Sequence, residues 1–251
     1  GDRLASSVED VCKLAYSAEG AGFQSLWMAH IRSLDAISAL SVAGSRTSRI
    51  ELGTAVTPVQ PRHPMALAQQ AMTASQVCEG RFTLGIGLSH KIVIEDMLGL
   101  SYEHPAAYMR DYLGALLTLV EGKESCYIGD TFKIRDLKLD IPQGDKMSLV
   151  LAALGPKMLE IAGTLTDGTS TWMTGPKTLE SYVIKAIQAA ASKSGRPSPR
   201  IISGFPIVLT NNVEESKKKL ESGLGFYGKL PSYRAMLDRE GVDGPVDLAL
   251  I

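Results

Sequence analysis

Two of the four histidines follow apolar segments that have the length and composition of buried strands. His30 comes shortly after residues 25–28, and His90 comes shortly after residues 82–88. An imidazole titrates near neutral pH, so such a side chain can donate or accept a proton during a reaction. We predict that His30 and His90 are the catalytic residues. The alternative is that each is an ordinary polar residue of a strand end or a surface loop.

A second chemical feature is a glycine followed by a proline at the point where a strand passes into a helix. In Gly155-Pro156-Lys157 the proline suits the first helical turn, and the first free backbone N–H groups of the helix can bind an anion. Thr174-Gly175-Pro176-Lys177 repeats the pattern one unit later and predicts a second anion or substrate site, although an ordinary helix start is the alternative. Trp172 beside it is expected to line the pocket or the core. The predicted substrate-binding residues are Trp172, Thr174 and Lys177.

These residues depend for their positions on strands and helices that alternate along the chain. Short apolar runs lie between segments in which apolar residues recur at helical spacing. Such alternation predicts βαβ units and a parallel sheet that is covered on both faces. The predicted strands are residues 25–28, 50–56, 82–88, 149–154, 169–173 and 201–209. The predicted helices are residues 7–20, 34–47, 64–79, 105–120, 156–166, 176–194, 213–223 and 231–240.

One hairpin interrupts the alternation. Residues 126–128 and 131–134 are typical of two strands joined by a Gly129-Asp130 turn, so we expect an insertion at about 123–140. The length of 251 residues favours a (β/α)8 barrel over an open doubly wound sheet, and no GxGxxG motif supports the open sheet. The predicted strands fall short of the eight that a barrel requires. We therefore expect that this sequence lacks the first strand and the last βα unit of such a barrel.

Composition excludes several classes of function. Lys and Arg number 26 and Asp and Glu number 27, so no basic excess indicates a nucleic-acid partner. The apolar stretches are far shorter than the roughly 20 residues of a membrane helix. Cys12, Cys78 and Cys126 are too widely spaced for a zinc site or a disulfide scaffold, and they favour a reducing compartment. We expect a cytoplasmic protein with a small-molecule partner, without a metal, nucleic acid or membrane.

Several stretches resemble the bacterial-luciferase-like oxidoreductases. Residues 50–56, 62–64 and 80–87, with the sequences IELGTAV, RHP and GRFTLGIG, resemble the central block of that family. Residues 89–97 and 230–241 resemble its coenzyme F420-dependent branch. The resemblance covers nearly the whole chain. It implies a single α/β domain over residues 1–251, a luciferase-like (β/α)8 TIM barrel with an insertion, in a protein that forms homodimers.

The resemblance implies an oxidoreductase that transfers a hydride between coenzyme F420 and a small organic substrate. An FMN-dependent monooxygenase of the same fold and a non-catalytic flavin-binding relative remain alternatives. It also implies that a bulge with a non-prolyl cis peptide lies behind the cofactor ring at the end of residues 50–56, and that the loop before residue 156 holds the cofactor phosphate. The cofactor-binding residues that it implies are Thr54, Ala55, Val56, Gly87, Leu88, Ser89, Ala153, Leu154, Gly155, Pro156 and Lys157.

Overall fold

The structure is a computed structural model that describes residues 6–121, 125–142 and 147–250. It divides into two compact units, Gly1–Leu151 and Ala152–Ile251, and each is described by itself. A single domain over the whole chain stays a prediction. The strands β1 to β9 are Ser25–Met28, Glu51–Thr54, Thr57–Pro58, Phe82–Gly87, Ser125–Ile128, Lys133–Leu137, Ser148–Ala152, Gly168–Trp172 and Arg200–Gly204. The helices α1 to α9 are Val8–Gly20, Ala36–Gly44, Pro64–Val77, Pro105–Val120, Pro156–Leu165, Pro176–Thr178, Ile184–Lys193, Val213–Leu224 and Pro231–Glu240.

The first unit contains a parallel sheet in the order β1, β2, β4, β7, as the alternation predicted. Met28 at the end of β1 lies opposite Thr54 at the end of β2. Strand β3 continues the pairing beside the end of β4, where Pro58 lies opposite Gly87. Because these strands are parallel and in register, the loops that follow β1, β2 and β4 leave the sheet at the same edge. Loops after the carboxyl ends of parallel strands are the usual place for a functional site.

Local sequence determines where the helices of the first unit begin. The hydroxyl of Ser7 accepts a hydrogen bond from the backbone N–H of Asp10 at 3.2 Å, and the Asp10 carboxylate accepts from the N–H of Ser7 at 3.0 Å. This reciprocal pair of hydrogen bonds is a capping box, and it fixes the start of α1. Pro64 and Pro105 occupy the first turns of α3 and α4, where the missing N–H has no helical partner to lose.

The predicted hairpin is present as the antiparallel pair β5 and β6, but its turn differs by one residue from the prediction. Ile128 lies opposite Lys133, and the N–H of Gly129 donates to the carbonyl of Phe132 at 2.9 Å. The two turn residues are therefore Asp130 and Thr131, and the predicted Gly129-Asp130 turn is wrong. Gly129 is needed for another reason, because a Cβ there would overlap the carboxylate of Asp111. Residues 123 and 124 of the predicted insertion lie outside the described residues.

The second unit contains the parallel pair β8 and β9, in which Thr169 lies opposite Ile201 and Trp172 opposite Gly204. The predicted helix over residues 176–194 is present but is interrupted by a π-helical stretch at Leu179–Val183. The predicted strand over residues 201–209 is shorter, since β9 ends at Gly204. Beyond it, Ile207 forms an isolated parallel bridge with Leu250.

None of the helices within the described ranges has the length and apolar character needed to cross a bilayer.

Candidate functional site

The candidate site of the first unit lies at the edge where β1, β2 and β4 end. His30 lies in the loop after β1, and His90 lies in the loop after β4. Between them in the sheet, the peptide bond that joins Ala55 to Val56 directly after β2 is cis. A non-prolyl cis peptide is what the family resemblance implied at this position. The structure therefore brings both predicted histidines and the residues after β2 to the same edge of one sheet.

The side chain of Thr54 makes hydrogen bonds to the backbone of β4 in the place of backbone groups of β2. Its hydroxyl accepts a hydrogen bond from the N–H of Gly85 at 2.9 Å and donates to the carbonyl of Gly85 at 2.7 Å. A Cβ on residue 85 would lie 1.9 Å from the carbonyl oxygen of Thr54, so only glycine permits this approach. The hydroxyl thus satisfies both the N–H and the carbonyl of Gly85, at the point where β2 ends.

Two buried polar atoms in the residues after Thr54 have no hydrogen-bond partner in the described part of the chain. They are the hydroxyl of Thr57 and Oε1 of Gln60. The amide nitrogen of Gln60 is fixed by a 2.8 Å hydrogen bond to the carbonyl of Leu88. Buried polar groups normally have partners, so the unpaired amide oxygen of the partly exposed Gln60 fits a site that receives a polar ligand, whereas Thr57 is fully buried. Neither residue is recognisable from the sequence, because only the pairing of β3 with β4 shows that they are buried at this edge.

His30 is surrounded by three groups that the sequence analysis did not connect with it. The backbone N–H of Ala36 donates to Nδ1 at 3.2 Å, and Nη2 of Arg62 lies 3.1 Å from Nε2. The same Nη2 donates to Oδ2 of Asp35 at 2.8 Å, and this carboxylate oxygen lies 3.6 Å from Nδ1 of the histidine. Asp35 in addition caps α2 through a 2.8 Å hydrogen bond from the N–H of Ser38.

This arrangement favours a neutral imidazole. Ala36 N–H and Arg62 can only donate, whereas a neutral imidazole offers a single lone pair and an imidazolium offers none. Burial of His30 and, after it, the positive charge of Arg62 lower the pKa of the imidazole, while Asp35 acts in the opposite direction. Near neutral pH the imidazole of His30 is therefore neutral, which is the form that can take up a proton.

His90 occupies a different environment. Burial lowers its pKa from the ordinary value. Ser89 before it has a left-handed backbone with φ of 58°, and a π-helical stretch, Ile92–Met97, begins just after it. The hydroxyl of Tyr102 donates to the carbonyl of Ser89 at 3.3 Å and so helps to hold this turn. No local pattern in the sequence indicates the π-helical stretch.

In the second unit, the predicted anion site lies at the start of α5. Gly155 precedes the helix in an extended conformation, and no described side chain caps its first turn. A Cβ on residue 155 would meet no atom within 4 Å. The ten-residue helix therefore begins with an open approach to uncapped backbone, beside the exposed Lys157. These features fit a phosphate group. The predicted residues Ala153, Leu154, Gly155, Pro156 and Lys157 form this strand-to-helix connection.

The second glycine-proline pattern is different, since a side chain of the protein already caps it. The carboxylate of Glu240 accepts hydrogen bonds from the N–H groups of Lys177, at 3.2 Å, and Thr178, at 2.7 Å. A Cβ on Gly175 would lie 2.1 Å from the carboxyl carbon of Glu240. The structure thus favours the ordinary helix start over a second anion site, because these N–H groups have an internal partner.

The other predicted substrate residues belong largely to the interior of the second unit. Thr174 is fully buried. Trp172 packs against a cluster that contains Met173, Leu237 and Leu248, as the core alternative predicted. A Cβ on Gly204 would lie 2.8 Å from its ring. Roles of Trp172, Thr174 and Lys177 in substrate binding stay predictions.

Parallel strands joined by helices, with polar groups after their carboxyl ends, define the class as an α/β protein built like a β/α barrel enzyme. Comparison with known proteins identifies the family. A family model described as luciferase-like monooxygenase matches residues 1–247, and the chain belongs to this family.

Individual relatives support the same assignment. The chain is 32% identical over 240 residues to a 5,10-methylenetetrahydromethanopterin reductase of Methanolobus tindarius, covering 94% of this chain and 73% of the relative. Its fold is similar to that of the coenzyme F420 dependent tetrahydromethanopterin reductase from Methanopyrus kandleri, with a TM-score of 0.81 at 23% identity over 94% of this chain and 73% of that one. A type II Baeyer-Villiger monooxygenase from Pseudomonas putida in complex with FMN gives a TM-score of 0.71 at 18% identity over 96% and 75%. The predicted luciferase-like α/β fold class is confirmed.

Proposed function

We propose that this protein is a coenzyme F420-dependent oxidoreductase that transfers a hydride between the cofactor and a small organic substrate. The observation that carries this proposal is the 32% identity with a methylenetetrahydromethanopterin reductase, which extends over 94% of the chain. The similarly folded reductase from Methanopyrus kandleri is F420 dependent, which favours the deazaflavin over FMN. When bound, the cofactor supplies a two-electron hydride donor or acceptor, and the protein supplies position and proton transfer.

Each unit contains residues near the ends of its strands that fit cofactor binding. In the second unit, the uncapped start of α5 at Gly155 and the exposed Lys157 would hold a cofactor phosphate. For the first unit taken by itself, the cofactor-binding residues that we propose from the family resemblance are Thr54, Ala55 and Val56 at the end of β2, and Gly87, Leu88 and Ser89 at the end of β4. The unpaired oxygen of Gln60 adds an acceptor there.

His30 and His90 are the proposed proton-transfer residues. The contacts of His30 favour its neutral form and therefore the role of acceptor. His90 is the other imidazole at this edge, and burial lowers its pKa below the ordinary value of 6.5. Replacement of a proton-transfer group typically reduces a rate by about 10²–10⁴-fold.

Cofactor titration tests the proposal most directly. F420 and FMN are added separately to the protein, and binding is followed by the fluorescence of each cofactor. We expect F420 to bind more tightly. Gly155→Asp places a negative charge at the start of α5, where an anion would lie, and should weaken F420 binding by about tenfold or more. The matched control is Gly195→Asp, which adds the same charge at an exposed glycine with φ of 66° and no atom within 4 Å of an added Cβ.

Two results would contradict the proposal. Tighter binding of FMN than of F420 would favour a monooxygenase of the same fold. Unchanged F420 affinity in Gly155→Asp would place the phosphate elsewhere. Turnover of reduced F420 with a panel of small organic acceptors then separates an enzyme from a flavin-binding relative, since a binder would show affinity without turnover.

A further inference from the structure

We propose that Arg62 is a positioning residue for His30, whose guanidinium, anchored on Asp35, keeps the imidazole neutral and holds it in one orientation. The catalytic role of His30 rests on the proposed function, whereas the effect of Arg62 on the protonation of His30 does not. The contacts that carry it belong to the first unit alone. Arg62 lies in the loop before α3, whereas His30 and Asp35 lie in the loop before α2, so the contact joins two of the loops that leave the sheet at the functional edge.

The anchor is the short hydrogen bond between Arg62 and Asp35. Nη2 of Arg62 donates to Oδ2 of the carboxylate at 2.8 Å, and the two side chains are 17% and 32% exposed. Asp35 is itself held, because its Oδ1 accepts the N–H of Ser38 at the start of α2. The guanidinium therefore has a fixed partner on a fixed helix, which is the geometry that a positioning residue requires.

The same Nη2 lies 3.1 Å from Nε2 of His30, so a permanent cation faces one side of the ring. The N–H of Ala36 faces the other nitrogen at 3.2 Å. Addition of a proton to the ring would direct N–H groups at both donors and place a second positive charge beside the first. The groups that bear on this titration are Arg62, Asp35 and the burial of the ring, and their balance lowers the pKa of His30.

Removal of Arg62 should reverse this balance. In Arg62→Met the chain keeps similar bulk but loses the cation, and the Asp35 carboxylate, 3.6 Å from Nδ1, no longer has a competing partner. An unpaired neighbouring carboxylate favours the imidazolium. We expect the pKa of His30 to rise by about one unit or more, which is a tenfold or greater rise in proton affinity. In Arg62→Met with Asp35→Asn, the pKa should fall back, while the Asn side chain retains an oxygen to cap α2.

The experiment is an NMR titration of the four histidines in the cofactor-free protein, with His30 assigned from the resonance that disappears in His30→Gln. Arg196→Met is the matched control, because Arg196 also contacts a half-exposed aspartate, at 3.4 Å from Asp167, but belongs to the second unit. This control should leave the titration of His30 unchanged. Melting temperatures of all variants show whether each is folded.

A purely structural role for Arg62 would lower the melting temperature and leave the pKa of His30 unchanged, and that result overturns the proposal. If Arg62→Met does not fold, Arg62→Gln and Arg62→Lys replace it. Glutamine loses the charge and should raise the pKa, whereas lysine keeps the charge and should hold it low. Equal pKa values in these two variants would also overturn the proposal. The titration is carried out on the cofactor-free protein, so its result does not depend on cofactor binding. A failure of F420 to bind would contradict the proposed function and leave the result for Arg62 unchanged.

Discussion

A carboxylate on α4 holds the hairpin in place, and this contact gives a quantitative prediction. Asp111, which is 8% exposed, accepts three hydrogen bonds from the hairpin. The Tyr127 hydroxyl donates to Oδ1 at 2.6 Å, and the N–H groups of Thr131 and Phe132 donate to Oδ2 at 2.5 Å and 3.1 Å. Phe132 in turn packs edge-on against Tyr112, with ring centroids 5.3 Å apart.

Asp111→Asn keeps the shape of the side chain but turns one acceptor oxygen into a donor. The amide oxygen can still accept from the N–H groups of Thr131 and Phe132, but these become bonds to a neutral group, worth about 0.5–1.5 kcal/mol each instead of about 1.5–3 kcal/mol, and the acceptor for Tyr127 is lost. We expect the hairpin to lose about 3–5 kcal/mol of stability against opening. Tyr127→Phe removes one bond and should cost about 1.5–3 kcal/mol.

Hydrogen exchange of the Thr131 and Phe132 amides measures this loss where it occurs. In Asp111→Asn the protection of both amides should fall by at least about a hundredfold, since each 1.4 kcal/mol corresponds to a factor of ten. The double variant supplies the control. Tyr127→Phe should have a much smaller effect when Asp111 is already replaced, with a coupling of about 1–2 kcal/mol. Equal effects of Tyr127→Phe in both backgrounds would refute the contact.

The same contact predicts two pH limits for the hairpin. Burial alone would raise the pKa of Asp111, but its hydrogen bonds to Tyr127, Thr131 and Phe132 outweigh burial and lower the pKa below 3.8. Its stabilisation is therefore complete above the unfolded pKa of 3.8 and is lost as the pH falls through the lower folded value. Burial and then the bond to Asp111 raise the pKa of Tyr127 to about 12. Its stabilisation is complete below the ordinary value of 10.0 and is lost as the pH rises towards 12.

Two further substitutions test contacts elsewhere in the chain. Gly85→Ala should destabilise the protein by about 1–3 kcal/mol in urea unfolding, because the new Cβ meets the rigid carbonyl of Thr54. The control is Gly20→Ala, whose Cβ meets no atom within 4 Å and which should be neutral or slightly stabilising. Equal effects of the two substitutions would contradict the reasoning. Glu240→Gln should cost about 0.5–2 kcal/mol at pH 7 through weaker capping of the helix that begins before Thr178. Burial raises the pKa of Glu240, but its hydrogen bonds to Thr178 and Lys177 have the larger effect and lower the pKa below 4.5. The stability difference between the wild type and Glu240→Gln should therefore disappear as the pH falls below 4.5 and the carboxylate becomes protonated.

Local sequence signals were sufficient for several elements. The predicted bounds of β1, α4 and α9 agree with the structure residue for residue, since Pro105 and Pro231 mark the helix starts and the apolar spacing marks the rest. Local sequence patterns were less accurate where a hydrogen bond to a residue distant in the sequence determines the position of a turn. The hairpin turn is displaced by one residue because the Asp111 carboxylate binds the N–H groups of Thr131 and Phe132.

The candidate site was predictable in part. Histidines after strands and a glycine-proline helix start are visible along the sequence, and the structure places them as expected relative to those elements. Their partners are not visible in that way. Arg62 contacts His30 across 32 positions, and Glu240 caps Thr178 across 62, so both contacts depend on tertiary folding that no local pattern encodes.

The hydrogen bonds between the Thr54 side chain and Gly85 have a consequence for which substitutions this part of the chain tolerates. One hydroxyl satisfies both backbone groups of Gly85, whereas the apolar side chains of Ala55 and Val56 can contribute no hydrogen bond to β4. The sheet and the loop that follows it are therefore under separate sequence requirements. We expect residue 54 to require a hydroxyl on a short side chain, whereas this requirement does not apply to the side chains of residues 55 and 56. Conservative substitutions of Ala55 and Val56 are therefore expected to leave both hydrogen bonds between Thr54 and Gly85 intact.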